Sequence, residues 1–245
     1  AQVSGLDLSD PPSADTVRVI DDAMARYGVL LFRNQPISDD EHAAFTSAFG
    51  PIDAGLTRAN ARKMRLSNDK VIDLANVDAD GKVLDPGNAR NVSLIANQMW
   101  HSDSSFKAPR AKYSILCAVD IPEEGGDTEF ADQRAAYDAL DEDMKAWLED
   151  KVAEHWAFHS RNMLGGAEFT PQGMDTLPPV DWPIVNTIQG SGRKSLFIGV
   201  HTREIRGIGT AEARMMLLDL LEHATQRQFV YRHRWQPHDV LMWDN

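Results

Sequence analysis

The sequence has little of several features that define whole classes of protein. Cys117 is the single cysteine, which excludes an internal disulfide and any zinc site built from several thiolates. The longest obvious apolar run, Val29–Phe32, has the length of a strand and is far below the ~18 residues of a membrane span. Residues 1–5 also lack the basic start and apolar core of a signal peptide. We therefore expect a cytoplasmic protein with no membrane partner.

Positive charge is scarce as well. Acidic residues outnumber basic ones 37 to 25, and the formal net charge is −12. Binding to a phosphate backbone requires a basic surface, so we expect no nucleic-acid partner. A chain of 245 residues with 42% apolar residues can form a large core without disulfides. We predict a single domain over residues 1–245.

Short strand-like segments dominate the pattern, and they do not alternate regularly with helices. This pattern argues against a doubly wound sheet and predicts a mainly β fold with flanking helices, such as a barrel or a jelly roll. Residues 53–91 contain no aromatic side chain, which indicates a surface excursion, either a lid over a site or a tolerated insertion. Capping signals predict helices beginning at Ser13, Ser38, Asp132, Asp141 and Thr210, the last with Met215, Leu218 and Leu221 on one face. The predicted strands include Val29–Phe32, Ser93–His101, Tyr113–Ile121, Val152–Phe158, Pro183–Thr187, Ser195–Val200, Phe229–Trp235 and Val240–Trp243.

One short motif could bind a metal ion. On a strand, His101 and Asp103 would project from the same face, because residues two apart share a side. An imidazole and a carboxylate are two of the three ligands of the facial triad that holds non-haem Fe(II). The spacing alone is weak evidence, since His-x-Asp also occurs in ordinary structural roles. A separate residue, Thr128, follows a Gly-Gly-Asp turn, where its hydroxyl could donate to a bound carboxylate or simply begin a strand.

Five segments, one of which contains the His101–Asp103 motif, are informative when they are taken together. They are Asn97–Phe106 (NQMWHSDSSF), Gly125–Phe130 (GGDTEF), Ala135–Leu140 (AAYDAL), Gly190–Lys194 (GSGRK) and Trp243–Asn245 (WDN). In this order they closely resemble the 2-oxoglutarate-dependent dioxygenases of the taurine dioxygenase family. The similarity is greatest to the branch that cleaves 2,4-dichlorophenoxyacetate. It extends from about residue 3 to the end of the sequence.

The resemblance implies a double-stranded β-helix (jelly roll) core that holds Fe(II), with 2-oxoglutarate as cosubstrate and O2 as oxidant. The keto acid would be converted to succinate and carbon dioxide while the substrate is hydroxylated. Carried over by position, His101 and Asp103 would be metal ligands, and Thr128 would bind the distal carboxylate of 2-oxoglutarate. No catalytic residue beyond the metal ligands is implied. The predicted substrate-binding residues are Asn97, Ser104 and His201, although His201 could equally be a polar residue at a strand end.

Two departures from the family pattern limit the prediction. The family places its second metal histidine and a cosubstrate arginine beyond the position of Asn245, so we expect the natural chain to continue. Ile188 also stands where relatives often carry a histidine, which weakens the case for a phenoxyacetate. The leading prediction is hydroxylation of an aryloxyalkanoate with ether cleavage. A sulfonate dioxygenase, a non-catalytic jelly-roll binding protein and a zinc hydrolase remain alternatives, and a homo-oligomer is a possible assembly.

Overall fold

Helices and strands are interspersed along the chain in a computed structural model, which describes residues 1–53, 66, 68–78, 80–85, 88, 94–164 and 177–245. Much of the predicted excursion over 53–91 lies outside the described residues. Two compact units are formed. The first comprises Ala1–Asp85, Lys112–Thr128 and Arg232–Asp244, and the second comprises Pro86–Ala111, Glu129–Tyr231 and Asn245.

The predicted mixture of many short strands and a few helices is confirmed. The helices are α1 (Ala14–Tyr27), α2 (Asp39–Ser47), α3 (Gln133–Asp138), α4 (Glu142–Leu148), α5 (Ala157–Met163) and α6 (Thr210–Ala224). The strands are β1 (Gln2–Val3), β2 (Val29–Phe32), β3 (Tyr113–Cys117), β4 (Thr128–Ala131), β5 (Val152–His155), β6 (Val180–Pro183), β7 (Val185–Thr187), β8 (Lys194–Leu196), β9 (Thr202–Ile205), β10 (Val230–His233) and β11 (Val240–Asp244). Among the described residues, no helix has the length and apolar character needed to cross a membrane.

Local capping chemistry sets the helix ends where the sequence predicted it. The Ser13 hydroxyl accepts from the Thr16 amide, and Gly28 ends α1 at φ 72°. Ser38 forms a complete capping box with Glu41 at the start of α2. Asp132 and Asp141 cap α3 and α4 through their carboxylates. The prediction for α6 was wrong by one residue, because Gly209 occupies the cap position and makes no side-chain hydrogen bond.

The first unit contains a four-stranded sheet in the order β1-β2-β11-β3. β1 runs parallel to β2, whereas β11 is antiparallel to both of its neighbours. One face of the sheet packs against α1 through the side chains of Ile20, Met24, Leu30, Phe32 and Met242. The burial of β11 between β2 and β3 explains why Val240, Leu241 and Met242 are completely inaccessible to solvent.

The second unit contains the three-stranded sheet β6-β5-β9 and the hairpin β7-β8. Strands β4 and β10 form a separate two-stranded sheet. Helix α6 packs on the core of this unit through Ala213, Leu217, Leu220 and Ala224. The predicted buried face was wrong in part. Met215 and Leu218 are 60% and 58% exposed, although Leu221 packs against the core. Alanines on the inner face allow a close approach to the neighbouring elements, so this stripe is buried instead.

Two predicted strands near the candidate site are corrected. The predicted strand Ser93–His101 is not formed over its described part, because residues 94–96 are helical and 97–100 form turns and bends. The amides of Gln98 and Met99 bond to the carbonyls of Ile95 and Ala96, so they are not available for strand pairing. The predicted strand Val152–Phe158 ends at His155, and α5 begins at Ala157.

Candidate functional site

The candidate metal-binding residues lie together in the second unit. Nε2 of His101 is 3.2 Å from Oδ1 of Asp103, and their side chains are 22% and 39% exposed. They reach this arrangement from a turn rather than from a strand, so the predicted strand alternation is not what aligns them. An imidazole nitrogen and a carboxylate oxygen are therefore presented side by side, and both remain accessible.

The ring of His101 is held in one orientation. Its Nδ1 lies 2.6 Å from the carbonyl oxygen of Met99, which can only accept a hydrogen bond, so Nδ1 carries the proton. Nε2 is thereby directed toward Asp103. Burial opposes a positive charge on the ring, but the hydrogen bond and negative charge of Asp103 outweigh it and raise the pKa of His101. A histidine whose second nitrogen donates to a backbone carbonyl has the geometry of a typical metal ligand.

Two further residues, Asn245 and Gly199, contact the backbone of the segment that carries the His101–Asp103 pair. The backbone amide of Asp103 donates to Oδ1 of Asn245 at 3.3 Å, which gives the carboxamide of the Trp-Asp-Asn motif a structural role in this unit. Gly199 packs directly against the backbone before the pair. A Cβ at position 199 would lie 3.1 Å from Cα of His101 and 3.2 Å from the carbonyl oxygen of Trp100. The amide of Val200 donates to that same carbonyl at 2.8 Å, so the two segments are held in close contact.

His201 lies next to the metal-binding pair and is buried, with 6% of its surface exposed. Its ring contacts the rings of His101 and Phe106 edge-on, with centroids 5.9 and 5.0 Å apart. Nδ1 lies 3.3 Å from the hydroxyl of Ser160 on α5. Burial, and after it positive charge on His101 and Arg161, lowers the pKa of His201 to about 3. The ring is therefore neutral at neutral pH, and it can exchange a hydrogen bond but cannot supply a positive charge.

Thr128 lies in the first unit, as the first residue of β4. Gly125 and Gly126 precede it at φ 76° and 73°, and a Cβ on Gly126 would lie 2.8 Å from Cγ of Pro122. The Thr128 hydroxyl oxygen accepts a hydrogen bond from Nε1 of Trp235 at 3.0 Å. Because the indole only donates, the hydroxyl proton of Thr128 remains available to a carboxylate. Sequence reasoning missed Trp235, since nothing in the local pattern links residues so far apart in the chain.

The two other predicted substrate-binding residues, Asn97 and Ser104, lie in turns. Asn97 is exposed in a turn, so the strand alternation that put it beside His101 was wrong. Ser104 has the left-handed φ of 55°, and its carbonyl accepts from the amide of Lys107 at 3.0 Å. This conformation carries the chain sharply away after Asp103. Substrate binding by Asn97 and Ser104 stays a prediction.

His101 and Asp103 form only part of a metal-binding donor set among the described residues. Within the described ranges, no group of three or more His, Cys, Asp or Glu side chains could hold a metal. His101 and Asp103 nevertheless supply two converging donors of the nitrogen-plus-carboxylate type that suits Fe(II), and the anchored Nδ1 of His101 leaves Nε2 for a metal. The residues present therefore fit part of an iron site.

Comparison with known proteins shows which protein family this chain belongs to. The whole chain, residues 1–245, matches the family model described as "Taurine catabolism dioxygenase TauD, TfdA family". This protein belongs to that family, which confirms the resemblance predicted from the sequence motifs. Members of the family are dioxygenases, so the protein is an enzyme of this type.

Two relatives and one solved structure are similar to this chain over nearly its whole length. The chain is 49% identical over 245 residues to the alpha-ketoglutarate-dependent 2,4-dichlorophenoxyacetate dioxygenase of Cupriavidus pinatubonensis (strain JMP 134 / LMG 1197), covering 100% of this chain and 85% of the relative. It is 48% identical to the dioxygenase of the same name from Burkholderia sp. (strain RASC), over 100% of this chain and 82% of that one. Among solved structures, AAD-2 in complex with Mn(II) and N-oxalylglycine aligns with a TM-score of 0.90 and 41% identity, covering 99% of this chain and 84% of that one.

Proposed function

We propose that this protein is an Fe(II)- and 2-oxoglutarate-dependent dioxygenase that hydroxylates an aryloxyalkanoate of the 2,4-dichlorophenoxyacetate type. The observation that carries the proposal is the His101–Asp103 pair with its anchored imidazole, in a chain 49% identical to an enzyme named for that reaction. The related AAD-2 binds Mn(II) and N-oxalylglycine, which are mimics of Fe(II) and 2-oxoglutarate. These relationships support the same cofactor and cosubstrate here.

In this proposal each site residue has one task. Nε2 of His101 and the carboxylate of Asp103 hold Fe(II), and Asn245 fixes the backbone of Asp103. The Thr128 hydroxyl donates to the distal carboxylate of 2-oxoglutarate, while Trp235 fixes the position of its oxygen. Asn97, Ser104 and the neutral His201 line the substrate site. The core that carries them is a double-stranded β-helix, as the family resemblance implies.

The chemistry accounts for cleavage of a stable ether. Fe(II) held by His101 and Asp103, with 2-oxoglutarate as cosubstrate, would supply the chemistry by which one atom of O2 enters a substrate C–H bond and the other is incorporated into succinate as carbon dioxide is released. Hydroxylation of the carbon between the ether oxygen and the carboxylate gives a hemiacetal. The bond between that carbon and the ether oxygen then breaks, the ether oxygen leaves with the aryl group and takes up the hemiacetal proton to give the phenol, and an aldehyde acid remains. The protein therefore needs to place one carbon correctly and does not need to catalyse the second step.

An anaerobic titration of the full-length protein with Fe(II) and 2-oxoglutarate tests the metal assignment. We expect the visible charge-transfer band of the chelate in the wild type. Asp103→Ala should abolish the band and the iron-dependent decarboxylation, because the proposed site would lose the carboxylate ligand that Asp103 supplies. Asp219→Ala, at an exposed position of α6, is the matched control and should behave like the wild type. Normal turnover by folded Asp103→Ala would overturn the metal assignment.

Oxygen uptake with a set of acids tests the substrate class. We expect faster uptake with 2,4-dichlorophenoxyacetate than with taurine, and release of 2,4-dichlorophenol in a one-to-one ratio with succinate. Faster uptake with the sulfonate would refute the aryloxyalkanoate proposal but not the dioxygenase chemistry. Absence of both the band and oxygen uptake in the folded protein would refute the enzyme proposal and leave a binding protein.

A further inference from the structure

Arg161 on α5 is a partly buried arginine whose hydrogen bonds go to neutral oxygens. Its Nη1 donates to the carbonyl of Ala157 at 2.8 Å and lies 3.4 Å from the hydroxyl of Ser160. Across the described part of the chain, no carboxylate lies within ion-pair distance of this guanidinium. Partly buried Arg33 pairs with Asp239, and buried Arg134 pairs with Asp132.

Such an arrangement is unfavourable in the free protein. Partial removal of a cation from water costs free energy unless an opposite charge compensates, and a single carbonyl and a hydroxyl compensate only in part. Burial accordingly lowers the pKa of Arg161, although an arginine remains protonated at neutral pH. The guanidinium also has more donors than these two neutral oxygens can use. An anionic ligand would satisfy both the charge and the remaining donors.

The position of Arg161 connects it to the candidate metal site. Ser160 is shared between them, since its hydroxyl contacts Arg161 at 3.4 Å and Nδ1 of His201 at 3.3 Å. The His201 ring in turn packs edge-on against the ring of the proposed ligand His101. A continuous series of contacts within the second unit therefore leads from the guanidinium to the metal-binding pair.

We infer that Arg161 binds the carboxylate of the aryloxyalkanoate substrate. This inference rests on the proposed function, which brings an acid to a site where the charges of Asp103 and of the dianionic 2-oxoglutarate together exceed the positive charge of Fe(II). Such a substrate needs a cation to offset repulsion, and the guanidinium fork matches a carboxylate in two parallel hydrogen bonds. Ile188 cannot donate a hydrogen bond, so Arg161 supplies a donor that this position lacks.

The experiment compares a charged ligand with a neutral one of the same shape. Equilibrium binding of 2,4-dichlorophenoxyacetate and of 2-(2,4-dichlorophenoxy)ethanol is measured on the full-length protein for wild type, Arg161→Gln and Arg161→Lys. We expect Arg161→Gln to raise the Kd and KM of the acid by about 10- to 100-fold, as for loss of a charge-assisted hydrogen bond, with a much smaller change in kcat. The Kd of the alcohol should change less than about twofold by the same reasoning. Arg161→Lys should retain part of the affinity, because it keeps the charge but not the fork.

Controls separate this inference from the proposed function. Arg227→Gln removes an arginine that is 83% exposed and should leave both ligands unaffected. Thermal unfolding shows whether each variant is folded. If Arg161→Gln does not fold, the conservative variant Arg161→Lys still provides the comparison of acid and alcohol. If Arg161→Gln changed the Kd of the acid and of the alcohol equally, or changed neither, the inference would be overturned. Turnover of the acid by the wild type would still uphold the proposed function. If the wild type neither bound nor oxidised any carboxylate, both would be refuted.

Discussion

Gly199 offers a sharp test of how the metal-binding pair is positioned. The substitution Gly199→Ala adds one methyl group where Cβ would lie 3.1 Å from Cα of His101 and 3.2 Å from the carbonyl oxygen of Trp100. Both of these are backbone atoms, so neither can move aside by a change of rotamer. The segment that carries His101 must therefore shift, or the chain around Gly199 must do so.

The size of the shift follows from ordinary contact distances. Ordinary van der Waals contact begins at about 3.4 Å, so the two segments must separate by a few tenths of an ångström. Catalytic groups need placement within about 0.5 Å, and a displacement of about 1 Å can cost ~100-fold in rate. We expect Gly199→Ala to weaken Fe(II) binding and to lower kcat by about 10-fold, with a loss of about 1–3 kcal/mol in stability from overpacking.

Gly209→Ala is the matched control, because a Cβ at position 209 meets no atom within 4 Å and the backbone is not left-handed. Fe(II) affinity is measured by the charge-transfer titration, and stability by urea unfolding of the metal-free protein. The prediction requires a loss of Fe(II) affinity in Gly199→Ala that Gly209→Ala does not show. Wild-type affinity and rate in folded Gly199→Ala would refute the argument that close packing at Gly199 positions His101.

Two other predictions use contacts outside the metal pair. Trp235→Phe removes the hydrogen bond to the Thr128 hydroxyl, so the Kd of 2-oxoglutarate should rise by about 2- to 10-fold with Fe(II) binding unchanged. Titration with the cosubstrate measures this Kd, and an unchanged value would contradict the prediction. Burial, and after it the charge of Arg110, lowers the pKa of His155 to about 4, whereas the unfolded chain titrates near 6.5, so only the unfolded state takes up a proton between these values. The free energy of unfolding should therefore fall by roughly 3 kcal/mol on acidification from pH 6.5 to 4. Urea unfolding of His155→Phe should show a loss over this pH range that is smaller by about this amount. Equal losses in the two proteins would argue against a neutral buried His155.

Sequence reasoning succeeded where the cause of a structure lies within a few residues. Ser13, Ser38 and Asp132 cap helices whose first amides are two or three positions away, so the pattern contains both partners. The His101–Asp103 motif is likewise local, and its convergence survives although the predicted strand around it is not formed. The motif was recognisable because its residue types are adjacent in the chain, whatever the backbone conformation.

Where packing between distant segments decides the outcome, the prediction failed. Helix α6 carries two apolar stripes at helical spacing, and the sequence alone favoured the one with Met215 and Leu218. The other, with Ala213 and Leu217, is buried because of the surfaces it meets. The contacts of Ser160 with His201 and of Trp235 with Thr128 join residues 41 and 107 positions apart. Such pairs leave no periodic signal, so the supporting residues of the candidate site required the structure.

The central place of β11 in the first unit has a consequence for the order of folding during synthesis. Its neighbours β2 and β3, at residues 29–32 and 113–117, emerge from the ribosome long before residues 240–244. Until then, each presents an unpaired edge with apolar side chains such as Leu31 and Ile115. The four-stranded sheet can close only when β11 has been translated, so this unit folds late and depends on pairing between sequence-distant segments. A nascent chain halted before residue 240 should therefore be sensitive to proteases and prone to bind chaperones.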